Sequence, residues 1–128
     1  MNKVCFSYCL YEKFNPKYYY GLINNIKFIQ NTFLSALIHI WFGSDVEVDY
    51  FKDINMKNVT IKILDIKGHE LMTNRFLSID DNEVDILFSR DADSMISDRE
   101  IKCINEFIKS PYLLHTIRDH KGHFMPIM

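Results

Sequence analysis

The sequence predicts an α/β fold: a Rossmann-like, mostly parallel sheet with helices on both faces. Three observations predict it. Short apolar runs alternate with longer segments of helical periodicity. The first run, residues 4–11, is nearly continuously apolar, as a strand covered on both faces requires. A later run, residues 84–88, breaks into the polar tip Ser89-Arg90-Asp91-Ala92-Asp93-Ser94 just before a new helix start.

At 128 residues, 48% of them hydrophobic, the chain has the length of one domain around a single core. A net charge of −2 without a block of like charge argues against a broad nucleic-acid surface. Cys5, Cys9 and Cys103 make an odd, small count. They read as reduced thiols, the first two as small buried hydrophobes. A Cys-x3-Cys metal site is the alternative, and no second pair supports it. The apolar run after Lys3 ends at Glu12 with no small-residue cleavage site. It reads as a first strand, not a signal peptide or membrane span, so a cytoplasmic location is expected.

Taken in order, residues 4–11 form the first strand. Asn15-Pro16 starts a helix, with Asn15 as N-cap and Pro16 at the first helical position. Tyr19, Leu22, Ile23, Ile26, Ile29 and Phe33 make its apolar stripe. Residues 36–42 form a second strand, with His39 as a packed core histidine, and Gly43-Ser44-Asp45 ends it. Residues 45–56 read as loop with a short helical piece. Residues 59–64 form a third strand, Val59, Ile61 and Ile63 alternating with Thr60 and Lys62. Residues 69–79 read as a helix carrying Leu71, Met72, Phe76 and Ile79. Asp80-Asp81-Asn82 is a turn, and the fourth strand follows. Ser97 and Glu100 have the spacing of a capping box for a helix carrying Ile101, Ile104, Phe107 and Ile108. Ser110-Pro111 stops that helix, and residues 112–117 form a fifth strand.

The chemistry concentrates at Asp91-Ala92-Asp93. With eleven Asp in the chain, about one Asp-x-Asp arises by chance, so position must carry the argument. The motif follows a buried strand and falls at its carboxyl end, where open α/β sheets bind ligands. A turn projects alternate side chains to one side, bringing both carboxylates within reach of one ion. A hard cation such as Mg²⁺ or Mn²⁺ takes carboxylate oxygens and fills its other positions with phosphate and water. The bland reading is a solvated turn with Asp91 or Asp93 capping the next helix.

The stretch FSRDADSMISDRE resembles the metal-binding segment of GT-A type, nucleotide-sugar-dependent glycosyltransferases. The strand order before it resembles theirs too. So do Asn74-Arg75-Phe76-Leu77 and His115-Thr116-Ile117-Arg118-Asp119-His120, so that most of the chain is covered. The resemblance implies a nucleoside-diphosphate sugar donor and an Mn²⁺ or Mg²⁺ ion. It makes Asp93 the direct metal ligand and places Asp91 on the ribose or the metal. It implies that Arg75 pairs with a motif carboxylate or a phosphate, against the alternative of a surface charge. Ser94 sets a hydroxyl near the diphosphate, or else caps the next helix or makes a turn bond. His120, or else His123, completes the metal site, and His115 is a strand residue. Asp119 stands near the acceptor by position.

The chain departs from the family in length. Against the family it holds the nucleotide-binding half, which reads as a truncated product, as one piece of a split protein whose partner chain completes the acceptor site, or as a domain that binds without turnover; no catalytic base is assigned. Two rival readings remain. A haloacid-dehalogenase-type phosphatase places its Asp-x-Asp on the first strand, not the fourth. A non-catalytic domain would bind a sugar nucleotide or a protein partner without turnover.

Overall fold

The computed structural model describes residues 3–109, apart from the side chains of His69, Met72, Thr73 and Arg75. The fifth strand expected at residues 112–117 lies outside the described residues. The chain divides into two compact units, Met1–Met95 and Ile96–Met128. The first holds a four-stranded sheet built from β1 (Val4–Leu10), β2 (Leu37–Phe42), β3 (Val59–Ile63) and β4 (Ile86–Ser89). The spatial order is β3-β2-β1-β4, and every pairing is parallel. The fold is therefore α/β and Rossmann-like, as the alternation of strand and helix signals predicts.

The period-2 alternation of β1 and β2 decides what each face packs against. Ser7 and Cys9 of β1 and Trp41 of β2 turn toward a 3₁₀ segment, Gly68–Asp80, where Ser78 and Leu71 meet them. Phe6 and Phe42 turn the other way. Phe6 meets Phe33, just past the helix α1 (Pro16–Thr32), and Phe42 meets Phe51, which itself packs on Tyr19 of α1. Asn15 caps α1 as its sequence predicts: its side-chain oxygen accepts the Lys17 N–H at 3.1 Å. Tyr19, Leu22, Ile26 and Ile29 are fully buried. Each of the three aliphatic side chains contributes roughly 1.5–3 kcal/mol by leaving water.

The 3₁₀ segment corrects an expectation. Residues 69–79 were expected as a helix with Leu71, Met72, Phe76 and Ile79 on its inner side. Leu71 is buried, but Phe76 and Ile79 are about half exposed, and the polar Ser78 is buried instead. The hydroxyl of Ser78 accepts the Trp41 indole N–H at 3.0 Å and lies 3.1 Å from the Ser7 hydroxyl. Buried hydroxyl and indole groups need partners, and this segment supplies them through Ser78. Residues 45–56 do contain a short helical piece, the 3₁₀ turn Val48–Phe51.

His39 is a packed core histidine, 3% exposed. Its Nε2 stands 3.6 Å from an Asp81 carboxylate oxygen, and Nδ1 has no hydrogen-bond partner among the described residues. Burial lowers its pKa from the ordinary 6.5; Asp81 and Glu83 pull the other way, and Lys62 reinforces the fall. The unfolded chain then binds a proton that the folded chain refuses. Stability contributed by the neutral imidazole is present above pH 6.5 and is lost as pH falls from there through the lowered folded value. Thermal unfolding followed from pH 7.5 downward should show the midpoint dropping below pH 6.5. The drop should be shallower in His39→Gln.

In the second unit, α2 (Asp98–Lys109) starts where the capping box predicts, the Ser97 hydroxyl accepting the Glu100 N–H at 3.2 Å. Among the described residues, no helix is long and apolar enough to cross a membrane.

Candidate functional site

The sheet reverses its winding at β1. From β1 the chain passes through α1 to β2 and then β3 on one side. The 3₁₀ segment then returns it to the other side of β1 as β4. Between β1 and β4 lies the topological switch point, whose carboxyl end is where open α/β sheets form a ligand crevice. β4 stops at Ser89, opposite Ser7, while β1 runs on through Tyr8 and Cys9 to Leu10. The Arg90 N–H makes a last rung to the Ser7 carbonyl at 3.0 Å. The chain then leaves the sheet as the acidic tip.

That tip is a β-turn. The Ser94 N–H donates to the Asp91 carbonyl at 3.2 Å, and the Arg90 guanidinium donates to the Ser94 carbonyl at 3.2 Å. Neither aspartate caps a helix, since Ser97 caps α2. Asp91 is exposed and Asp93 half-buried, with Ala92 buried between them.

Ala92 is seated on α1. Its carbonyl accepts a hydrogen bond from the side-chain amide of Asn25 at 3.2 Å, and the same nitrogen donates to the Gly21 carbonyl at 3.0 Å. A Cβ on Gly21 would sit far inside contact distance of the Ala92 carbonyl oxygen and 3.3 Å from the Asp93 Cα. Only a residue without a side chain lets the turn approach this closely. One turn earlier along the helix, the Lys17 ammonium stands 3.4 Å from an Asp93 carboxylate oxygen. Lys17, Gly21 and Asn25 thus recur every four residues as one stripe on α1 that receives the turn.

The loop after β1 forms the neighbouring wall. Glu12 adopts a left-handed backbone with φ 75°, a conformation unfavourable for a side-chain-bearing residue. Its carbonyl accepts the Tyr19 hydroxyl at 2.6 Å, and that hydroxyl accepts the Glu47 N–H at 2.9 Å. The Glu47 carboxylate accepts the Phe14 N–H at 2.6 Å, tying the loops after β1 and β2 together. Burial chiefly raises the Tyr11 phenol above its usual pKa; negative charge around it, Glu12 foremost and Asp91 included, adds to the rise. Of the three consecutive tyrosines only Tyr19 is buried, while Tyr18 and Tyr20 are exposed.

The turn therefore brings together Asp91, Asp93 and Ser94, three of the residues singled out from the sequence. Ser94 contributes its backbone N–H and carbonyl to the turn, and its side chain is exposed. The Arg75 side chain and the whole of His120 lie outside the described residues, as do His115, Asp119 and His123. Among the described residues, no group of three or more His, Cys, Asp or Glu side chains gathers as a metal cage. Two carboxylates with oxygen donors are instead the set that binds Mg²⁺ or Mn²⁺ together with a ligand's phosphates and water. Asp91 and Asp93 are the side chains of this turn that could hold such a cation, Asp93 only once Lys17 gives way.

Lys17, Gly21 and Asn25 are not among the residues that the motif marks. Signals exist for two of the three, Gly21 and Asn25. A glycine stands inside a helix, where it costs about 0.5–1 kcal/mol against alanine. An asparagine lies one residue from the apolar stripe of Leu22, Ile26 and Ile29 and is fully buried. A buried polar residue needs a partner, which here comes from 67 residues away.

Fold and turn define an α/β, Rossmann-like unit with an acidic turn at its switch point. No protein-family model, curated protein or solved structure matches the chain.

Proposed function

We propose that the unit binds a nucleoside-diphosphate sugar through a divalent cation, Mn²⁺ or Mg²⁺, held by Asp91 and Asp93. The observation that carries this reading is the seating of the Asp91-to-Ser94 turn at the carboxyl end of the switch point between β1 and β4. The resemblance of FSRDADSMISDRE to the GT-A metal segment supports the same reading. When bound, the cation neutralises the charge of a diphosphate, which is what a diphosphate leaving group needs. The protein's own residues hold the turn in place. Asn25 and Gly21 fix its peptide, Arg90 closes it, and the Arg90 N–H ties its start to Ser7 of β1.

Transfer of the sugar to an acceptor belongs to this reading if residues beyond the described ones, or a partner chain, supply the acceptor site.

Calorimetric titration of UDP-glucose and GDP-mannose into the full chain tests the binding claim. One of them should bind with Mn²⁺ present, and EDTA should remove the signal. A protein that binds neither has no site of this kind.

A further inference from the structure

The Lys17–Asp93 ion pair occupies the acidic turn in a way that bears on how its ligands bind. The ammonium stands 3.4 Å from Asp93 Oδ2, with the lysine side chain 66% exposed and that of Asp93 25% exposed. Lys17 lies in the first turn of α1, and its backbone N–H is taken by Asn15. Its ammonium also stands 5.6 Å from the centre of the exposed Tyr18 ring. The aspartate is held from behind, because the Ala92 carbonyl is fixed by Asn25 and Gly21 leaves the turn no slack. The lysine, at the end of a flexible and largely solvated stem, is the partner free to move.

We infer that Lys17 couples the two ligands of the site: it holds Asp93 when the cation is absent and contacts the ligand's phosphate when the cation is bound. This rests on the function proposed above. A cation binding to Asp93 must displace the ammonium. A phosphate recruiting Lys17 must draw it off Asp93. Each ligand alone therefore works against the ion pair, and each, once bound, has already broken the pair for the other. The result is positive coupling between cation and diphosphate, equal in both directions by linkage. An exposed ion pair is weak, so the pair's own share of that coupling amounts to about two- to fivefold. The contact between Lys17 and a phosphate is charge-assisted and is worth about tenfold in nucleotide affinity.

The test is Lys17→Gln, with Lys13→Gln, an exposed lysine in the loop before α1, as the control for loss of one positive charge nearby. Binding of Mn²⁺ alone is read by electron paramagnetic resonance, and binding of UDP at saturating Mn²⁺ by calorimetry. Lys17→Gln should bind Mn²⁺ alone about two- to fivefold more tightly and UDP about tenfold more weakly. Lys13→Gln should show neither change. Opposite signs for the two ligands are what a merely structural lysine does not produce. If wild-type protein binds UDP with Mn²⁺ and Lys17→Gln shows any other pattern, the coupling role is wrong and the site stands. If wild-type protein does not bind Mn²⁺, or binds neither UDP nor GDP with it, the site itself is wrong and the coupling role falls with it; where GDP is the nucleotide bound, it replaces UDP throughout the test.

Discussion

Asp93→Asn should reduce Mn²⁺-dependent nucleotide binding by at least about 100-fold, more than removal of a supporting residue around a metal costs. The substitution keeps the side chain's shape and removes its charge, so the turn remains. The Lys17 ion pair lost with it is a partly exposed one, worth no more than about 1 kcal/mol. Thermal unfolding should therefore shift by only a few degrees while calorimetry loses the nucleotide. Separation of the two effects is the informative result. If binding survives in the variant, Asp93 is not a ligand. If the protein fails to fold, the carboxylate has a structural role that its 25% exposure does not suggest.

Gly21→Ala should give the second large effect, by a different route. On an isolated helix this change stabilises by roughly 0.5–1 kcal/mol, because alanine restricts the unfolded chain and glycine does not. Here the new methyl collides with the Ala92 carbonyl, a backbone atom that is hydrogen-bonded to Asn25. A rotamer change cannot relieve that contact, so helix and turn must part. Overpacking of this kind costs about 1–3 kcal/mol, enough to reverse the sign of the intrinsic gain. The same separation pulls Ala92 from Asn25 and displaces Asp93, so nucleotide affinity should fall with stability. Asn24→Ala, at an exposed neighbouring position on α1, provides the contrast. It should leave binding unchanged and stability unchanged or slightly raised. Denaturant unfolding and calorimetry on both variants check the pair. A Gly21→Ala protein as stable as wild type with full binding would mean that the turn does not rest on α1.

The fold was readable where its signals are local. Asn15-Pro16 starts α1, residue for residue. Ser97 starts α2 by the same kind of short-range bond, and the nearly continuous apolar run of β1 announces a strand of a parallel sheet covered on both faces. Between Gly68 and Asp80 a helical segment was legible, but its 3₁₀ winding and its buried side were not, because the groups it packs against lie far away in sequence. Ser78 answers to Trp41 and Ser7, and no periodicity within the segment encodes that demand. The site divides along the same line. Asp91 and Asp93 stand out because strand, turn and helix cap succeed one another within a dozen residues. Lys17, Gly21 and Asn25 form an equally regular stripe, but their partner is a turn on the other side of the sheet order. Gly21 read alone is merely a poor helix residue. Only when Ala92 is set against it does its lack of a side chain become a requirement.

The central claim is that a cation sits at the Asp91-to-Ser94 turn together with a nucleotide. Paramagnetic broadening tests it most directly. Amide resonances of the uniformly ¹⁵N-labelled full chain would be recorded with Mg²⁺ and whichever of UDP and GDP the chain binds, then with trace Mn²⁺ replacing Mg²⁺. Signals from Glu12, Lys17, Gly21 and Ala92, which surround the carboxyl end of the switch point, should broaden beyond detection. Those of Val4 and Leu37, at the opposite ends of β1 and β2, should stay sharp. Broadening centred elsewhere in the chain, or none at concentrations that saturate the nucleotide, would contradict the assignment.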